Sequence, residues 1–337
     1  MKKIRIGIIC PSEIAFRRFM PALKKCNRYE YVGVAVAAMD EWGGEYTDEM
    51  RVAELAKAQN FKDNFGGKVY LSYTDLIEDE NVDAIYLPLP PALHYEWGKK
   101  VLEAGKHLFL EKPSSVSAEL TSDLIEMAEK NGLAVHENYM FVFHNQLDVI
   151  QNWIDEGKIG ELRLIRIAFG FPKRAANDFR YNKSLGGGAL LDAGGYTIKL
   201  ATLLLGDTAK ITTSRLNYTN EFDVDIFGSA SMENDHGFTA QLSFGMDNCY
   251  KCELEVWGST GTLFANRILT APAEFEPTIE YKNGNEPVKQ IKLEADDTFF
   301  KSIEYFGQCI DDEKCRLESY SSIIKQAKLV ECIKGDI

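Results

Sequence analysis

An amine, a carboxylate and a phenol that together could move a proton at a carbinol oxygen stand at two places along this chain. The amine belongs to Glu111-Lys112-Pro113. The other two belong to Gly186-Gly187-Gly188-Ala189-Leu190-Leu191-Asp192-Ala193-Gly194-Gly195-Tyr196. Such a set is workable for general acid/base chemistry at a carbinol or carbonyl oxygen. Read as helix, the segment after the three glycines puts Asp192 and Tyr196 at i and i+4 on one face, and the glycines let backbone approach something closely. Taken singly, Asp192 reads equally well as a cap or ion-pair partner, and Tyr196 as a half-buried core tyrosine.

Elements must hold these groups. The run 4–9 is Ile-Arg-Ile-Gly-Ile-Ile, β-branched and nearly all apolar, as a strand covered on both faces requires. Strand-like runs at 31–38, 83–89, 107–110 and 132–141 alternate with helix-like segments ending near 26 and covering 47–60, 91–104 and 117–131, with Gly105 as a helix-stop glycine. That alternation predicts an α/β fold with a doubly wound parallel sheet, whose ligands bind beyond the carboxyl ends of the strands. An amphipathic helix at 144–156 ends at Gly157. Strand-like runs then dominate (162–171, 210–217, 227–232, 237–245, 250–257, 278–282, 288–293), broken by one helix-like segment at 185–205. The pattern predicts a second domain on a mostly antiparallel sheet with one solvated face. A helix at 319–333 closes the chain. The resulting division is 1–120 and 121–337, with 319–333 packing back on the first domain.

The first strand leads into Cys10-Pro11-Ser12-Glu13-Ile14-Ala15. A dinucleotide-binding turn wants glycine at the first, third and sixth positions, which here are Cys10, Ser12 and Ala15, and Pro11 has no N–H to offer. By itself this loop reads as a plain strand-to-helix turn. Asp40, after the second strand, leans toward NAD through the adenosine ribose, although an exposed Asp there is also an ordinary turn residue.

Composition narrows the partners. Lys plus Arg is 38 and Asp plus Glu is 51, a net charge of −13, which repels phosphate backbones and anionic lipid. No nucleic acid and no membrane partner is expected. The seven cysteines are too sparse for a disulfide framework, which points to a cytoplasmic protein. Cys249-x-x-Cys252 lacks a second pair at zinc spacing and reads as two thiols in a strand, with no metal expected.

Further stretches carry a resemblance: Ile14-Ala15 with Pro21-Ala22-Leu23, Leu87-Pro88-Leu89-Pro90 with His94 and Glu96-Trp97, and Ala104-Gly105-Lys106-His107 leading to Lys112. With the segment 186–196 they resemble, in order and over almost the whole length, the Gfo/Idh/MocA oxidoreductases. Within that family Glu137-Asn138-Tyr139-Met140-Phe141, Asp178-Phe179-Arg180-Tyr181, Trp257-Gly258-Ser259, 267–272 and Ala295-Asp296-Asp297 are similar to stretches of nucleotide-sugar 3-ketoreductases. The resemblance implies an N-terminal Rossmann domain and a C-terminal α+β domain with a large open sheet, through which a homodimer or homotetramer forms.

It also implies NAD or NADP held by Cys10, Pro11, Ser12, Glu13, Ile14, Ala38, Asp40, Leu87, Pro88, Leu89, His94, Glu111 and Lys112, with His94 near the nicotinamide. Lys112 and Tyr196 become the acid/base pair at a sugar carbonyl, Tyr196 standing where many relatives have His, and Asp192 orients the substrate or the lysine. Asn138, Tyr139, Arg180 and Tyr181 line the substrate side, Arg180 and Tyr181 meeting a diphosphate. The implied activity is reduction of a keto-sugar, nucleotide-linked and keto at C3. The alternatives are a dehydrogenase of a free sugar, inositol or diol, and a sugar-binding or regulatory protein that has lost the cofactor. The chain departs from the family in its glycine-poor turn, in Ala38-Met39 where many relatives have Ser-Arg, and in Lys199 where some have Asp.

Overall fold

The opening apolar run forms β1 (Ile4–Ile9), whose last four residues are buried. It pairs in parallel on both sides, which is why almost every position is apolar. The computed structural model describes residues 2–42 and 46–335. After β1 come a π-helical turn at Ala15–Phe19 and a short α1 (Met20–Leu23), then β2 (Tyr29–Ala35) and α2 (Asp48–Phe65), which Thr47 caps. Next are β3 (Lys68–Tyr70), α3 (Tyr73–Glu78) capped by Ser72, β4 (Ala84–Leu87) and α4 (Pro91–Glu103). The run ends with β5 (His107–Leu110), α5 (Ala118–Asn131) capped by Ser117 and stopped by left-handed Gly132, and β6 (Val135–Glu137). All pairs are parallel, and the order β3-β2-β1-β4-β5-β6 reverses direction between β1 and β4. Such a switch point is where doubly wound sheets bind ligands. Leu76, Ile85, Leu87, Val101 and Leu108 are fully buried in this unit's core. Gly7 is required by packing, since a Cβ there would lie 2.6 Å from the Leu76 side chain.

The second unit holds α6 (Asn145–Asp155), β7 (Leu162–Gly170), a π-helical turn at Leu190–Gly194 and α7 (Gly195–Leu205). The strands β8 (Lys210–Tyr218), β9 (Asp225–Glu233), β10 (Thr239–Gly245), β11 (Lys251–Gly258), β12 (Gly261–Asn266), β13 (Thr278–Asn283) and β14 (Lys289–Lys292) follow. With β7 they make an eight-stranded sheet, β14-β13-β12-β11-β7-β10-β9-β8, in which only β7 and β10 run parallel. Alternating burial along β9, β10 and β11 leaves one face in solvent, as the sequence pattern predicts.

The chain then forms α8 (Thr298–Asp311) and α9 (Glu313–Lys334). Residues Phe299–Ile324 count with Met1–Asn138 as one unit, and Lys325–Ile337 with Tyr139–Thr298 as the other. The division therefore falls after Asn138 rather than near 120, because β6 hydrogen-bonds to β5. In the first unit the Tyr29 hydroxyl donates to Ile303 O at 2.8 Å, the Ser319 hydroxyl to Val135 O at 3.1 Å, and the Tyr320 hydroxyl to Leu133 O.

Candidate active site

In the first unit the carboxyl ends of β1, β4 and β5 present the residues singled out from the sequence. Cys10 adopts φ +72°, the left-handed conformation usually left to glycine. The turn thus takes a glycine's shape without one. Ser12 accepts the Ala15 N–H on its hydroxyl at 3.2 Å and the Phe16 N–H on its carbonyl at 3.1 Å. Among the described residues no acceptor meets the N–H groups of Glu13 and Ile14, which open the following helix. Free N–H groups at a helix start beside a switch point suit a dinucleotide diphosphate, so the turn fits the cofactor although its letters do not. The Cys10 thiol itself is inert, its pKa pushed up to about 12 by burial first.

Lys112 follows β5 by two residues and is half-buried, and its peptide bond to Pro113 is cis. Glu111 accepts from the Tyr86 hydroxyl and from the Asn138 amide, both at 2.7 Å. Burial raises the Glu111 pKa, and those two hydrogen bonds oppose it. Ser302 donates to Asn138 Oδ1 at 2.8 Å, and His136 Nε2 lies 2.8 Å from the same Ser302 hydroxyl. A buried polar chain therefore runs from α8 to the residue beside Lys112. Asn138, fully buried and bonded at both ends of its amide, positions this loop.

His94 stands between two loops of the same unit. Its ring is fully buried, with Nδ1 2.7 Å from Pro113 O and Nε2 2.7 Å from Leu89 O. Both nitrogens are committed to main chain. Burial pulls its pKa down to about 4, against the pull of the two carbonyls. In either protonation state at least one N–H···O bond survives, and the ring clasps the loop after β4 to the loop after β5, where Lys112 stands.

At the end of β2, Asp40 is exposed in a turn, while Glu41 holds a built position that the sequence reading passes over. Its Oε2 accepts the N–H groups of Ala38 at 2.9 Å and Tyr73 at 2.7 Å, and its Oε1 accepts the N–H and hydroxyl of Thr74 at 2.9 and 2.6 Å. The visible signal is an acid three residues beyond Ala38, where the strand-like run that covers most of β2 ends.

In the second unit Tyr196 sits on the first turn of α7, 7% exposed. Its ring is boxed by Tyr139 and Phe169 at 5.2 Å and Phe141 at 5.7 Å between centroids. Gly195 makes this possible, because a Cβ there would lie 2.2 Å from the Tyr139 hydroxyl. Tyr139, 1% exposed, is part of that wall. The Gln326 amide donates to Gly195 O at 2.8 Å and fixes the same turn.

Asp192 lies inside the π-helical turn, whose wider pitch breaks the regular i, i+4 spacing toward Tyr196. Its carboxylate accepts Arg180 Nε at 2.6 Å, and Arg180 Nη1 also reaches Asp178 at 3.1 Å. Two carboxylates therefore balance the Arg180 charge. Tyr181 is bonded within the same unit. Its hydroxyl accepts the Arg174 N–H at 3.0 Å and donates to Met246 O at 3.2 Å, while its ring stacks on Phe222. The glycine run closes on protein: a Cβ on Gly187 would lie 2.4 Å from Arg180 O, and one on Gly188 2.3 Å from Asp225 Oδ1. Asp225, missed in the sequence, caps the turn by accepting the Leu190 N–H at 2.7 Å.

Cys252 is buried and accepts the Leu269 N–H on sulfur, whereas Cys249 lies in a bend before the strand rather than in it. Among the described residues no group of three or more His, Cys, Asp or Glu could hold a metal, and no helix is long and apolar enough to cross a membrane.

Comparison with known proteins gives the same two halves. Residues 50–139 match the model of an oxidoreductase family with an NAD-binding Rossmann fold, and residues 148–264 match the GFO/IDH/MocA C-terminal domain. A dTDP-3,4-didehydro-2,6-dideoxy-alpha-D-glucose 3-reductase of Actinomadura kijaniata is 36% identical over 98% of this chain and 95% of its own. The chain belongs to the Gfo/Idh/MocA oxidoreductase family. A reductase of the same description from Saccharopolyspora spinosa is 35% identical over 98% of this chain and 97% of its own. Among solved Gfo/Idh/MocA structures, a 3-ketoreductase from Actinomadura kijaniata in complex with NADP and TDP-benzene superposes with a TM-score of 0.90 at 35% identity, covering 99% of this chain and 97% of that one. The same 3-ketoreductase has been solved as a Tyr-to-Phe variant and as a Lys-to-Ala variant, each with TDP-benzene and NADP. The expectation of an NAD(P)-dependent oxidoreductase on a Rossmann domain plus a large open sheet is met.

Proposed function

We propose that this chain reduces the 3-keto group of a nucleotide-linked deoxysugar, with Tyr196 delivering the proton and Lys112 hydrogen-bonding the same oxygen. One observation carries the reading: relatives described as 3-reductases of a dTDP-linked dideoxysugar align with this chain almost end to end. That a lysine and a tyrosine have each been substituted in the solved 3-ketoreductase supports a reading in which one residue of each type acts.

A dinucleotide bound at the first turn supplies hydride from C4 of its nicotinamide. Glu13 and Ile14 would hold its diphosphate through their N–H groups. Lys112 carries a positive charge toward the oxygen that gains electrons, and His94 with the Glu111-Asn138-Ser302 chain keeps its loop in one place. Tyr196, wedged among three aromatic rings, is restricted to few rotamers, so little ordering remains to be done when the proton moves. Asp192 is a positioning residue through Arg180. We also propose that a second copy docks on the solvent face of the second unit's sheet, where Trp257 and Phe227 are 49% and 45% exposed.

The test is a substrate panel followed by NAD(P)H absorbance. Oxidation of reduced cofactor with a nucleotide-linked 3-keto-deoxysugar, at least ~10²-fold faster in kcat/KM than any reaction of free sugars, inositol or diols, is expected. Faster turnover of a free sugar or diol would replace this reading with the dehydrogenase. Binding of neither NADH nor NADPH would leave only a sugar-binding or regulatory protein.

A further inference from the structure

The corner between β2 and α3 already holds an anion. Glu41 spans it, one carboxylate oxygen on the Ala38 and Tyr73 N–H groups and the other on the N–H and hydroxyl of Thr74. No ion pair to Glu41 exists among the described residues, so its charge is balanced by N–H and O–H dipoles alone. The neighbouring Met39 is 47% exposed and brings neither charge nor a donor, and Ala38 has no polar side chain. Burial works against ionisation of Glu41, and the bonds from Ala38, Thr74 and Tyr73 outweigh it, holding the carboxyl below the usual range.

In doubly wound sheets the end of the second strand meets the adenosine ribose, where an acid suits a free 2′-hydroxyl and an arginine suits a 2′-phosphate. We infer that Glu41 makes this chain select NAD(H) over NADP(H), because its carboxylate occupies the donors a 2′-phosphate would use and confronts that phosphate with a like charge. The inference rests on the dinucleotide-binding part of the function proposed above, and it sets the chain apart from the 3-ketoreductase solved with NADP. Like charges without an intervening cation repel strongly in a partly buried corner, whereas a hydroxyl at the same place carries no such penalty. Nothing in the reaction itself distinguishes the two cofactors, so the choice is made by binding alone.

Fluorescence titration of the full chain with NADH and with NADPH, without substrate, reads the choice directly. Wild type is expected to bind NADH at least tenfold more tightly than NADPH. Glu41→Gln, which keeps the shape and removes the charge, is expected to tighten NADPH severalfold while moving NADH by less than threefold. Equal or tighter binding of NADPH by wild type overturns the inference even if the variant does not fold. An unchanged NADH-to-NADPH ratio in a folded Glu41→Gln, checked by circular dichroism, also overturns it. Failure to bind either nucleotide instead removes the function on which the inference stands.

Discussion

His107 shows how a single side chain ties local geometry to a measurable property. It opens β5, and its Nδ1 accepts the Ala134 N–H at 3.0 Å, a bond that only the neutral ring can make. Burial first, and then Arg316, hold its pKa down to about 4, whereas a free imidazole titrates near about 6.5. As pH falls from about 6.5 toward 4, the unfolded chain takes up a proton that the folded chain refuses. The stability owed to neutral His107 is therefore complete above about 6.5 and is lost on the way down to about 4. Unfolding free energies from urea titrations across that range are expected to fall by an amount on the order of 1–2 kcal/mol from this site. His107→Asn, which keeps an acceptor but does not titrate, should flatten the fall. An equally steep fall in that variant would assign the effect elsewhere. The same logic separates residues that touch chemistry from residues that hold others: His94, Asn138 and Tyr181 carry reactive-looking groups, yet each spends them on protein.

Elements explain why some of this was legible in the sequence and some was not. The parallel strands β1, β4 and β5 announce themselves as short apolar runs, because burial on both faces leaves no other composition available. Their carboxyl ends then locate Lys112 and the first turn without a structure. A sequence reading carries the sixth strand from 132 to 141, but β6 stops at Glu137 because Asn138 turns its amide onto Glu111 and Ser302. β12 escapes notice because Gly258 and Gly261 bracket a two-residue hairpin that reads as loop, and β12 pairs straight back onto β11. The apolar spacing Phe299, Ile303, Phe306 gives α8 one buried face. Long-range partners stay invisible: nothing in Gly186-Gly187-Gly188 says that the close approach is to Arg180 and Asp225 rather than to a ligand. Motif letters mislead in the other direction at Cys10, where backbone dihedrals supply what the missing glycine seemed to deny.

At the scale of the whole molecule, the chain's net charge of −13 would repel the nucleotide-linked substrate proposed above, so attraction to it has to be local, as at Lys112 and the free N–H groups of the first turn. The second unit's sheet offers an apolar and charged face, with Arg166 bonded to Glu255 and Gln241 and set over Trp257. If two copies meet there, sedimentation velocity gives a dimer or tetramer and Trp257→Glu shifts it toward monomer; a wild-type monomer at ~50 μM, well above the affinity of a stable interface, excludes the assembly. The proposed function has Lys112 and Tyr196 act on one carbonyl. It is tested most directly by single-turnover reduction of the nucleotide-linked 3-keto-sugar by Tyr196→Phe and Lys112→Ala, with cofactor affinity measured alongside. The expected result is a loss of ~10²–10⁴-fold in the rate of each variant while cofactor dissociation constants stay within about threefold of wild type. Full-rate turnover by Tyr196→Phe would contradict it.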